Sequence, residues 1–246
     1  MDREQQQDLS AMTRRTALRT GLAVSGGLVL GSSMGGTVGA NSGLTVRAVP
    51  ISLFVRAADD GEPSPVPDPQ DLLVNRAGSN PIDDGTTVGL DGSHQLTWGA
   101  FRAIQGKARL VEKAGGTKVN IKLSGLIPGG VYTVWVVKFA PPGFDGTTRD
   151  IATALASVSG LGSLGANDGS ENTLNVSGSS GRLSVFHPNG ALSVFGDVPD
   201  GLTNEYETHL VAAVHLDGQT YGPFPDGDGS GATIAEHAAF IFGTGV

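Results

Sequence analysis

The chain is 246 residues long, contains 38 glycines and no cysteine, and carries a formal net charge of −8. That length accommodates one large or two small domains, and the missing thiols exclude a disulfide framework and cysteine-based metal or redox chemistry. The acidic balance, with only five lysines and no basic cluster expected, argues against a nucleic-acid surface, which needs grouped Lys and Arg.

The first forty residues read as an address. Thr13-Arg14-Arg15-Thr16-Ala17-Leu18-Arg19 resembles a twin-arginine export signal. An apolar, glycine-rich run from Gly21 to Leu30 follows, then small residues ending in Val38-Gly39-Ala40, which suits a signal peptidase. The expectation is a signal peptide over residues 1–40 and a secreted or cell-surface mature chain. The apolar run is too short to span a membrane, so no membrane span is expected in the mature chain. Removing this segment takes away four arginines and three carboxylates, which leaves the mature chain one unit more negative.

Residues 41–84 read as an N-terminal extension and acidic, proline-rich linker. Leu44 to Arg56 is a short apolar segment broken by Pro50, compatible with an edge strand, where proline is tolerated. Ala57 to Pro69 holds Asp59, Asp60, Glu62 and four prolines, too little apolar surface to offset the entropy of ordering.

Residues 85–246 read as one β-domain. Short strands are expected at Gln95–Trp98, Lys107–Glu112, Thr173–Ser177, Arg182–Phe186, Tyr206–Leu216 and His237–Phe242, with Asp150–Ser159 as the one candidate helix. The central pair runs from Thr117 to Phe139. Val119, Ile121 and Leu123 alternate with Lys118, Asn120 and Lys122, so one face is buried and the other wet. Val131 to Val137 is apolar on both faces, as a doubly covered strand should be, with Trp135 as the central core anchor. Pro128-Gly129-Gly130 supplies the turn between them. This pattern predicts an all-β fold, an antiparallel β-sandwich of immunoglobulin-like or superoxide dismutase-like type.

The twin-arginine start, the stretch Ser124–Phe139, the loop Leu164–Asn172 and the segment His209–Pro223 together resemble a group of uncharacterised exported proteins of halophilic archaea. That resemblance covers most of residues 85–246 and implies an extracytoplasmic β-sandwich with no established activity. The Ser-Gly-Leu turn leading into a long apolar strand is also similar to copper–zinc superoxide dismutase. The paired His-x-His ligands of that family are missing: Val134, Trp135 and Val136 stand there, which speaks against dismutation.

Candidate ligands for a transition metal are His209 and His215, on one face of a strand with Glu207 and Asp217. Six residues place the two histidines roughly 20 Å apart, too far for one shared ion. Asp226, Asp228 and Ser230 have the one-three-five spacing of a calcium loop, but the twelfth position is His237 rather than glutamate. Gly160 to Gly165 matches the dinucleotide GxGxxG pattern, yet an acidic turn follows where a helix is required. No nucleophile, base and oxyanion set converges. The leading expectation is an exported, non-catalytic binding or structural protein whose partner is a cell-surface component or other ligand. The alternative is a metal-binding domain or metal-dependent enzyme, with Ca2+ or a transition metal as cofactor.

Overall fold

The computed structural model describes residues 43–50, 55–57, 70, 73–75, 97–140, 158–198, 201–203, 206–215, 217–225 and 234–243. The fold is all-β, as the alternating apolar pattern predicts: among the described residues there are two antiparallel five-stranded sheets and one short helix. In chain order the strands are β1 (Leu44–Arg47), β2 (Val49–Pro50), β3 (Val55–Ala57), β4 (Leu73–Asn75), β5 (Gln105–Lys113), β6 (Gly116–Ser124), β7 (Val131–Phe139), β8 (Val158–Ser163), β9 (Asn175–Ser177), β10 (Ser180–Pro188), β11 (Gly190–Ala191), β12 (Asp197–Val198), β13 (Glu207–His215) and β14 (Ile234–Phe242). The first sheet has the order β1-β5-β6-β10-β9 and the second β2-β14-β13-β7-β8; β3-β4 and β11-β12 form two small ladders.

The central pair is not a hairpin. β6 pairs with β5 and β10, whereas β7 pairs with β13 and β8. The segment between them therefore carries the chain from one sheet to the other. Six residues are too many for a two-residue hairpin turn, and they bury Leu126 and Ile127 rather than looping into water. Gly129 takes φ 76°, a left-handed conformation that glycine adopts at little cost. The N–H of Ile127 donates to the Tyr132 hydroxyl at 3.0 Å, so the crossover's buried amide is satisfied by the strand it leads into.

β1 and β2 are edge strands of opposite sheets, separated by Ala48 alone, whose N–H donates to Gly106 O at 3.0 Å. The Pro50 edge position expected from the sequence is thus occupied, opposite Ala238.

The main core lies between the sheets. Ala108, Leu110, Val119, Ile121, Leu123 and Val185 from the first sheet meet Tyr132, Val134, Val136, Leu210, Ala212, Val214 and Phe240 from the second. β7 is covered on both faces, as its apolar pattern requires. Trp135 is buried, at 3% exposure, but it is not the central anchor: it lies on the far face of the second sheet, in a small cluster with Ala213 and Ile234. Odd-numbered positions of β7 point away from the inter-sheet core, so alternation itself sends Trp135 outward.

The expected strand at Gln95–Trp98 is replaced, from Trp98 onward, by a five-residue helix α1 (Trp98–Arg102). Thr97 caps it, its hydroxyl accepting from Ala100 N at 3.2 Å, and the helix buries Trp98 and Phe101 in the core. A capping hydroxyl three residues before an open amide outweighs the strand propensity of the two aromatics. Thr97→Ala is expected to cost about 1 kcal/mol, read from a chemical unfolding midpoint. The helix expected at Asp150–Ser159 lies mainly outside the described residues, and its last two residues, Val158 and Ser159, begin β8.

The outward face of the first sheet corrects one further expectation. Four of the five lysines, Lys107, Lys113, Lys118 and Lys122, occupy outward positions of the adjacent strands β5 and β6. They fall within residues 107–122, and strand pairing brings them onto one face.

Candidate functional site

Strand β13 carries His209 and His215 as expected on one face, with an unbroken register against β7 from Glu207 opposite Phe139 to His215 opposite Val131. No bulge shortens that span, so the two histidines stay apart and occupy different settings. Among the described residues no group of three His, Cys, Asp or Glu side chains converges on a common point. The calcium-loop candidates Asp226, Asp228 and Ser230 and the signal segment lie outside the described residues.

His209 is buried with Glu207, two positions earlier on the same face. Its Nε2 donates to the Glu207 carboxylate at 2.6 Å, and its ring lies 4.6 Å from that of Phe139. A short bond to a carboxylate is among the stronger hydrogen bonds available to a side chain.

His215 belongs to a second group. Trp135 Nε1–H donates to Thr133 Oγ1 at 2.7 Å, and Thr133 Oγ1 lies 2.7 Å from His215 Nε2. An indole only donates, so Thr133 accepts from Trp135 with one of its two lone pairs, and the direction of its bond to His215 Nε2 follows the imidazole tautomer. His215 Nδ1 is a buried atom without a hydrogen-bond partner among the described residues. Burial holds the His215 pKa below the ordinary histidine value, with Asp217 opposing the shift. A hydroxyl beside an imidazole is the geometry of an activated nucleophile. Here both groups are sealed, Thr133 at 1% and His215 at 0% exposure, and one of the hydroxyl's two lone pairs is engaged by Trp135.

His237 faces the main core. It is the extra residue of a β-bulge: Ala212 pairs with Ala238 and Ala213 with Glu236, so His237 falls between the two. A bulge re-aims one side chain out of the alternation, which is why simple alternation from Ala238 does not place it. Its Nε2 donates to Phe101 O at 2.6 Å and its Nδ1 accepts from the Tyr132 hydroxyl at 2.8 Å. Its ring stacks on Phe101 with centroids 4.3 Å apart and planes 16° off parallel. Burial pushes its pKa down to about 4 and that of Tyr132 upward. The sequence signal for this set is weak, since its members come from α1, β7 and β14.

At one end of the inter-sheet space sit Lys138 and His187. Lys138 Nζ donates to Gly201 O at 3.4 Å and Leu202 O at 3.3 Å. His187 Nδ1 accepts from Gly165 N at 3.1 Å. Burial lowers Lys138 to about 7 and, with the lysine charge nearby, lowers His187 to about 4. An amine with that pKa is a competent nucleophile, but Lys138 is 1% exposed. Gly160 to Gly165, the GxGxxG match, runs from β8 into the turn Ala166–Glu171 with no following helix, which removes the dinucleotide reading.

No protein family, curated protein or solved structure matches this chain.

Proposed function

We propose that the chain is an exported, non-catalytic β-sandwich that binds or shields a component at the cell surface. The observation that supports this reading is how the histidines are used. His187, His209, His215 and His237 are all buried and hydrogen-bonded: His187, His215 and His237 to groups on other segments of the fold, His209 to the Glu207 carboxylate on its own strand. Groups committed in this way brace strands; a reactive or metal-binding site needs convergent groups open to a ligand. The twin-arginine-like start supports export, because that signal carries already folded proteins.

The alternative of a metal centre on His209 or His215 is tested directly. Protein purified without chelator is expected to hold less than about a tenth of an equivalent of any transition metal; a full equivalent overturns the scaffold reading. The export half is tested separately, by fractionating cells that express the full chain. The expected product is an extracytoplasmic protein shorter by the first forty residues, and a full-length cytoplasmic product rejects it.

A further inference from the structure

The outward face of the first sheet holds Arg47, Lys107, Arg109, Lys113, Lys118, Lys122 and Arg182, in a chain whose formal net charge is −8. The single acidic residue in these strands, Glu112, points with the opposite set of side chains and accepts a hydrogen bond from Thr203. Within the basic face one feature is ordered. Arg47 lies opposite Lys107, Lys107 opposite Lys122, and Lys122 opposite Arg182. Four exposed cations therefore stand in one cross-strand row over four strands, and Asn175 extends the row onto β9.

Neighbouring strands are separated by about 4.8 Å, so the row spans roughly 15 Å. Like charges directly opposite each other destabilise a sheet. None of the four makes an ion pair with a carboxylate of the described residues. The row therefore works against the fold, and a ligand with regularly spaced negative charge would relieve it.

We infer that this row is a binding face for an anionic polysaccharide, a linear chain bearing carboxylate or sulfate groups. This deepens the proposed function by naming the class of surface component, and it rests on that reading. Charge complementarity calls for a polyanion, and the rest of the face selects the kind. Around the cations lie Thr45, Gln105, Asn120, Ser124, Asn175 and Ser184, neutral hydrogen-bonding groups of the sort that meet sugar hydroxyls. Ser184 and Asn120 already bond to each other at 2.8 Å, which holds both in place. Phe186, opposite Lys118 and two residues along its strand from Ser184, is an exposed aromatic at 39%, suited to the apolar face of a pyranose. A single-stranded nucleic acid is held on several stacked aromatics, and an anionic lipid surface on a continuous apolar edge. Among the described residues Phe186 is the single exposed large apolar side chain, so both alternatives lack their main contact.

The test uses the protein secreted by cells expressing the full chain and four probes: polygalacturonate, dextran sulfate, an oligothymidylate and phosphatidylglycerol vesicles. Polygalacturonate or dextran sulfate is expected to bind most tightly at low salt, with affinity falling as salt rises, as counterion release requires. The triple variant Lys107→Ser, Lys122→Ser, Arg182→Ser is expected to bind at least tenfold more weakly while melting at the same or a higher temperature. The paired swap Arg47→Lys with Arg182→Lys retains charge and should keep most of the binding. Phe186→Ser should weaken the polysaccharides without raising affinity for vesicles.

Tighter binding of the oligothymidylate or of vesicles overturns the polysaccharide assignment. Undiminished binding by the triple variant overturns the row. A salt-sensitive dimer of the free protein, broken by the triple variant, shows that a second copy covers the face and likewise overturns it. Secretion with no polyanion binding rejects this inference alone; cytoplasmic retention or a full metal equivalent rejects the underlying reading instead.

Discussion

His237→Ala is expected to cost about 3–5 kcal/mol, the range for removing a large ring from a packed core. The ring stacks on Phe101 and is fully buried, so truncation opens a space the surrounding strands cannot close. It also strands two polar partners. Phe101 O loses its 2.6 Å donor and the Tyr132 hydroxyl its acceptor, and an unsatisfied buried group adds about 1–3 kcal/mol of desolvation cost. Tyr132→Phe is the milder change. It keeps the ring, leaves Ile127 N–H and His237 Nδ1 without their partner, and should cost about 1–3 kcal/mol. The two variants share one network, so their effects combined should fall short of their sum. Urea unfolding followed through Trp98 and Trp135 reads all three, and a loss below about 1 kcal/mol for His237→Ala would show that the network is not part of the cooperative core.

Acidification should weaken the fold through two histidines at once. His187 and His237 have folded pKa values of about 4, against an ordinary histidine value of 6.5. Between these values the unfolded chain binds protons that the folded chain refuses, so stability is present above about 6.5 and is lost as pH falls toward 4. Each residue contributes about 3 kcal/mol over that interval. Lys138 acts with the same sign in a higher window. Its folded pKa of about 7 lies below the ordinary 10.5, so the unfolded chain again holds more protons and stability rises as pH climbs from about 7 toward 10.5. Unfolding midpoints from pH 4 to pH 10 check both limbs. His187→Phe should flatten part of the acid limb, and Lys138→Met should flatten the alkaline one. Unchanged slopes in both variants would place the titrations elsewhere.

Val119, Ile121 and Leu123 are buried while Lys122 is exposed, as period-two alternation demands. β7 runs from Val131 to Phe139, the span its continuous apolar pattern marks. Local rules succeed there because side-chain direction in a strand is set by the residue's own backbone. They fail at Trp98, where the cap at Thr97 starts a helix, and at His237, where a bulge against β13 overrides alternation. The metal reading of His209 and His215 could not be resolved from spacing along one strand, since the partners of each come from Glu207 in one case and from Thr133 on β7 in the other.

By itself the amino-acid sequence determined an all-β chain with a wet face and a buried face on β6 and apolar cover on both sides of β7, because burial must follow the two-residue repeat of a strand. Only the tertiary structure decided that β6 and β7 belong to opposite sheets, that His237 turns into the core, and that Arg47, Lys107, Lys122 and Arg182 form one row. Strand pairing joins residues far apart in the chain, and its register depends on all the strands of a sheet together. No local pattern of residues carries that information.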